Sequence, residues 1–136
     1  MKQQEVTIEL YDKREKVSSN LSVIQLSEHT FRLVENDIFN CRLTRGTEFE
    51  TRINKEGRHE LIRIIKDSEY TTRRFLLSPK YKESEYRILG DELVKRGGFW
   101  QVDFGGIVTV NIPKNFEFDQ LMKDLDINLE EIINEQ

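Results

Sequence analysis

Residues 95–116 read KRGGFWQVDFGGIVTVNIPKNF, with two glycine pairs bracketing the only tryptophan. A glycine-rich loop cradles phosphate when it runs from a strand into a helix N-terminus, where free N–H groups converge. Neither pair has that setting. Upstream, Glu83–Arg96 carries Tyr86, Leu89, Leu93 and Val94 at helical spacing, so Gly97-Gly98 follows a helix. Gly97 fits the left-handed position that ends a helix, and Lys95 and Arg96 suit its negative end. Gly90, inside the helix, costs about 1 kcal/mol against alanine and is expected to allow close packing on a sheet. Downstream, Gly105-Gly106 separates two apolar-patterned runs and reads as a hairpin turn. Neither GxxxxGK[ST] nor GxGxxG occurs.

The loop length fixes which side chains face inward. A two-residue Gly105-Gly106 loop would pair Phe104 with Ile107 and mix apolar and polar residues on both faces. A three-residue loop, Phe104-Gly105-Gly106, sets Asp103 opposite Ile107 and Val102 opposite Val108. Trp100, Val102, Val108 and Val110 then share the core face, and Gln101, Asp103, Thr109 and Asn111 face out. The expected turn is type I, closing on a left-handed Gly106 with a bulge.

Working outward, Asn115 reads as an N-cap, followed by Phe118, Leu121, Met122 and Leu125 on one helical face. Asn128 and Glu131 resemble a capping box and predict a short last helix holding Leu129, Ile132 and Ile133. Towards the N-terminus the period changes to two. Val6, Ile8 and Leu10 alternate with polar residues, and Leu21, Val23 and Leu26 lie in a second extended run. A charged loop, DKREKVSSN, separates them. Phe31 and Leu33 begin a return strand, Asn36-Asp37 turns the chain, and Ile38–Leu43 is expected to be short and extended. Phe49, Thr51 and Ile53 share one side of the next strand. Asn54–Gly57 is a hairpin loop, and residues 59–65 and 71–77 read as further strands.

The fold class is therefore α+β. An N-terminal antiparallel meander (5–77) curls into a small barrel, followed by a β-α-β-β-α half of ferredoxin-like type (78–136, with strand 71–77 feeding into it). One domain of 136 residues is expected.

The chain is 37% apolar and 34% charged, with 10% aromatic residues, too many for a disordered polymer. No apolar run is long enough to cross a membrane, and MKQQEVTIEL has no signal-peptide core. The lone Cys41 cannot form an internal disulfide. Together these predict a cytoplasmic protein. The net charge of −4 is uneven. Residues 41–80 carry ten basic and six acidic groups, whereas 81–136 carry six and twelve. An acidic segment steers cationic partners, and a basic one meets anions.

Chemistry is sparse. His29, His59 and Cys41 form no HxH, HExxH or CxxC, so no structural metal site or cofactor is expected. His29 reads as a turn residue, His59 as an exposed strand residue and Cys41 as a small buried one. No nucleophile has an identifiable base, so the chain is not read as an enzyme. Arg42, Arg45, Arg52, Arg58, Arg63, Arg73 and Arg74 fall on the expected barrel. Small barrels bind single-stranded nucleic acid with such side chains. Here Glu48, Glu50, Glu56 and Glu60 dilute the field, and the pI of 5.3 is low for such a binder. Cross-strand ion pairs are the simpler account.

FRLVENDIF (31–39), TRGTEFETRINKEGRHELIRIIKDSEYTTRRFLL (44–77), a helix and GGIVTVNIP (105–113) together resemble a bacterial family known only as a domain of unknown function. The likeness spans roughly residues 5–126 and rests on turn glycines and core positions. Asp37 stands where that family often has proline, and Thr47 where it often has aspartate. The resemblance implies a small α+β fold and transfers no catalytic residue. Such domains are similar to immunity proteins that neutralise toxins, an analogy of fold. The resulting expectation is a protein-binding module of immunity-like or inhibitory kind. It would meet a basic partner, such as a basic toxin, through Glu83, Glu85, Asp91, Glu92, Asp119 and Asp124. The alternative is a single-stranded nucleic-acid or anionic-ligand binder using Arg42, Arg45, Arg52, Arg63, Arg73 and Arg74.

Overall fold

The computed structural model describes residues 4–133. The fold is α+β, and the chain divides into two compact units, Met1–Glu69 and Tyr70–Gln136.

The first unit contains β1 (Glu5–Asp12), β2 (Val17–Gln25), β3 (Thr30–Leu33), β4 (Glu48–Ile53) and β5 (His59–Lys66). Each strand pairs antiparallel with the next. The ends of this sheet meet, because β1 also pairs with β5, in parallel, at Leu10–His59 and Tyr11–Glu60. The period-two pattern is the cause. Ile8, Leu10, Leu21, Val23, Phe31, Leu33 and Phe49 alternate inward and are buried together with Leu43. Phe31 and Phe49 lie with ring centroids 5.8 Å apart. Each such aromatic removes enough surface from water to stabilise the fold by about 1.5–3 kcal/mol. Thr51 is buried as expected, but Ile53 on the same side lies at the strand end and is exposed.

Two readings of this unit need correction. The charged loop after β1 is shorter than DKREKVSSN, since Val17–Asn20 already pair with β1. Ile38–Leu43 is not extended either. Residues 34–47 form one irregular loop held by polar groups. The Asp37 carboxylate accepts from the Phe39 N–H at 2.9 Å, and the Asn36 side-chain oxygen accepts from the Arg45 N–H at 2.9 Å. Local side-chain bonds of this kind compete successfully with a strand ladder. The loop closes at its base, where the Leu33 N–H donates to the Thr47 carbonyl and the Gly46 N–H to the Leu33 carbonyl.

The second unit contains β6 (Thr71–Leu76), α1 (Glu83–Lys95), β7 (Phe99–Asp103), β8 (Ile107–Ile112), α2 (Phe118–Asp124) and β9 (Glu130–Ile132). Its sheet has the order β7-β8-β6-β9, all neighbours antiparallel. β6, read from the sequence as the end of the meander, therefore belongs to this sheet. The core contains Phe75, Leu89, Leu93, Val108, Val110, Ile112, Phe118 and Met122.

Gly97 ends α1 with φ +91°, its N–H donating to the Val94 carbonyl and that of Gly98 to the Leu93 carbonyl. This pair of bonds is the Schellman arrangement. The hairpin has the three-residue loop, with Asp103 opposite Ile107 and Val102 opposite Val108. Its backbone differs from expectation: Phe104 and Gly105 take positive φ, 54° and 70°, and Gly106 does not. The faces also differ, since Thr109 and Asn111 are buried and Val102 is exposed. Asn111 donates to the Thr72 hydroxyl at 2.9 Å, and Arg74 to Thr109 at 3.2 Å, so these polar groups have partners inside. α2 is capped at Glu117, not at Asn115. The expected last helix is instead β9, antiparallel to β6.

Candidate functional site

The six acidic residues expected to meet a partner fall on α1 and α2, and most are engaged within the unit. Glu83 pairs with Arg87 at 2.9 Å, one turn along α1. The Glu85 carboxylate accepts the Lys82 N–H at 3.0 Å and so closes the helix start. Glu92 pairs with Lys95 at 3.4 Å, and Asp124 accepts from Gln120 at 2.8 Å. Asp119 takes part in a three-residue cluster. The Arg73 guanidinium donates to Asp119 at 2.9 Å and makes two bonds to Glu131, at 3.0 and 2.7 Å. The bidentate contact from Arg73 holds the Glu131 carboxyl below its ordinary range, and Glu131 in turn raises the guanidinium further above neutrality. Arg73 also stacks on the Phe75 ring, 5.0 Å from its centroid. Beside this cluster lies a cleft of about 420 Å³, lined by Thr71, Arg73, Lys114, Phe116 and Asp119 among others. Asp91 differs from the other five in that its carboxylate has neither a hydrogen-bond nor an ion-pair partner among the described residues.

The arginines are mostly engaged too. Arg52 pairs with Glu60 at 3.4 Å across β4 and β5, and Arg63 with Glu50 at 2.8 Å. Arg32 pairs with Glu48, and Arg58 with Glu9. Arg45 donates to the Val34 carbonyl. Arg73 and Arg74 are not on the closed sheet of the first unit but on β6, and Arg74 is buried. Arg42 is exposed on the 34–47 loop.

His59 is more enclosed than expected. Its Nδ1 lies 2.8 Å from the Thr51 hydroxyl, and its ring meets Phe31 edge-on at 5.3 Å. Burial, with a smaller contribution from His29, pushes its pKa below the ordinary histidine value. His29 lies in the turn between β2 and β3, 3.8 Å from Glu28. Cys41 is half-buried. Among the described residues, no group of three or more histidine, cysteine, aspartate or glutamate side chains gathers as metal ligands. None of the helices is long and apolar enough to cross a membrane, again among the described residues.

No protein-family model and no curated protein sequence matches the chain. A crystal structure of a hypothetical protein from Neisseria gonorrhoeae is similar, with a TM-score of 0.61 and 17% sequence identity. The match covers 97% of this chain and 94% of that one. At that identity the likeness is one of fold, and it transfers no site.

One surface was missed in the sequence. On α1 the inward stripe is Leu89, Gly90 and Leu93, with Trp100 against Gly90, where an added Cβ would sit 3.3 Å from the indole. The opposite stripe carries Ile88, 53% exposed, and Val94, 54% exposed, with Asp91 between them. Val94, grouped from the sequence with Tyr86, Leu89 and Leu93 at helical spacing, thus points outward. Ile88 sits off the Tyr86–Leu89–Leu93 stripe, and that offset was the available signal.

Proposed function

We propose that the chain is a non-catalytic protein-binding module that takes a basic partner on the outward stripe of α1. The observation that carries this reading is the placement of Asp91, a carboxylate without a partner among the described residues, between two half-exposed aliphatic side chains on one helix face. Apolar contacts would supply affinity, and the carboxylate would select a cationic neighbour. An inhibitory or immunity-like role is the form such binding would take. Cytoplasmic residence belongs to the same proposal, supported by a single half-buried cysteine. The fold reading is consistent with it. We read the order β7-β8-β6-β9 with two intervening helices as a ferredoxin-like split β-α-β unit, and the closed five-strand sheet as a small barrel. Such scaffolds present rigid surfaces.

The test is a pull-down from the organism that encodes the chain, comparing wild type with Ile88→Asp and Asp91→Lys. A basic protein retained by wild type and lost from both variants would support the proposal. A partner retained equally by all three, or none at all, would refute it. Nucleic-acid or anion binding has less support, because Arg52, Arg63 and Arg73 already neutralise carboxylates. A labelled oligonucleotide is expected to show no salt-dependent shift, and a shift at low salt would favour that alternative.

A further inference from the structure

The closed sheet of the first unit is joined by a short seam. β1 meets β5 at two residue pairs, Leu10–His59 and Tyr11–Glu60, against eight between β1 and β2. His59 is one of the two β5 residues at that seam, and one of two histidines in the chain. The other histidine comes to the same place by way of Thr51, which is 1% exposed. The Thr51 N–H donates to the His29 carbonyl at 2.9 Å, and the Thr51 hydroxyl lies 2.8 Å from His59 Nδ1. One buried residue of β4 thus ties the β2–β3 turn to the start of β5.

The charged groups around the seam come from every strand that meets it. Arg58, next to His59, pairs with Glu9 of β1 at 3.9 Å and lies over the Tyr11 ring, 5.2 Å from its centroid. Glu60 pairs with Arg52 of β4 at 3.4 Å and accepts from Asn54 at 3.0 Å. The Asn54 bond first, then Arg52 and Lys13, hold its carboxyl below the ordinary range. Glu28 lies 3.8 Å from His29 in the turn. Of these side-chain types, only histidine changes charge between about pH 8 and pH 5. Acidification across that window therefore adds positive charge at the seam and removes no negative charge from it.

We propose that His59 is an acid-operated latch: its protonation parts β1 from β5 and turns the ring into an open five-strand sheet, β1 to β5 in order. The seam is the shortest ladder in the ring, so opening there costs least. Closed, the imidazole is partly withdrawn from water and feels His29 as a like charge, and both disfavour its charged form. Released, the ring is solvated and takes its ordinary value. The open form then binds the proton more tightly, and falling pH shifts the balance towards it. The shift begins near about 6.5 and levels off below the closed-state value. Opening leaves β1 and β5 with unpaired edges, the usual template for adding a strand. The inference is independent of the α1 surface, which belongs to the other unit.

Amide exchange followed by NMR on the full chain tests it, at about pH 7.5 and about pH 5.5, with the intrinsic pH dependence of exchange divided out. At the lower pH a released histidine of ordinary value is about ten parts in eleven protonated, so His59 alone can raise the open-to-closed ratio by up to about tenfold. Amides bridging β1 and β5 are expected to lose protection by about twofold to tenfold, while those bridging β1 and β2 keep theirs. His59→Gln is expected to abolish the difference. An equal loss over the whole first unit would mean general destabilisation and overturn the proposal. So would no loss at the seam, or a loss that survives in His59→Gln. Should that variant fail to fold, the imidazole Cε1–H titration of the wild-type chain decides. A His59 midpoint below the ordinary value, with seam protection falling over the same pH range, supports the latch, and a midpoint at or above that value overturns it.

Discussion

At Gly98 a methyl group would sit 2.4 Å from Leu93 Cδ1 and 2.6 Å from the Asn111 carbonyl oxygen, whereas at Gly106 it would meet nothing within 4 Å. Backbone oxygen cannot step aside as a side-chain tip can. Gly98→Ala is therefore expected to cost roughly 2–3 kcal/mol in urea unfolding, and Gly106→Ala to be close to neutral. Equal effects at the two positions would contradict this account of the glycine pairs. His59 makes a pH prediction at the same scale. Its pKa is lower folded than unfolded, so between the two values the unfolded chain binds more protons. Stability then rises with pH. On acidification the loss begins near the ordinary histidine value of about 6.5 and levels off below the folded-state value. His59→Gln is expected to flatten that part of the stability curve, measured by urea titration at several pH values.

Elements were legible where period and turn chemistry agreed. The β7–β8 register could be deduced because only a three-residue loop puts Trp100 on the same face as Val108 and Val110. β9 was not, because Asn128-x-x-Glu131 carries a helix-start signature while its pairing partner, β6, lies far away in sequence. Ile127 and Leu129 are both buried, a period of two too short to outweigh the cap pattern. The 34–47 loop failed for another reason: its order comes from side-chain-to-backbone bonds, which leave no periodic trace. The α1 surface was half legible, its acids visible as residue types but their pairing set by geometry. Glu131 on β9 reaches Arg73, and both are partly exposed. Glu131→Gln should therefore cost only about 0.5–1 kcal/mol. Because its carboxyl is held low, this contribution is present above the unfolded carboxylate range and lost as pH falls through the folded value. Amide exchange offers a separate check: β8, paired on both sides, should exchange more slowly than the three-residue edge strand β9.

Over the whole molecule, the charge contrast is smaller than sequence segments suggested. Residues 70–136 hold nine basic and twelve acidic groups, because β6 and the turn after it contribute Arg73, Arg74 and Lys80. Residues 1–69 hold twelve and thirteen. A broad acidic field is thus a weaker basis for partner choice than individual unpaired carboxylates. Partner association should accordingly slow only modestly as salt is raised, within about tenfold, in stopped-flow or surface-binding measurements. A steeper dependence would point back to the whole field. The closed sheet of the first unit has a kinetic counterpart. Every pair in it joins consecutive strands except β1 with β5, where Leu10 meets His59. That seam has the highest contact order in the ring and carries the largest loop-closure entropy. It should form last during folding, with mutations along it changing the unfolding rate far more than the folding rate.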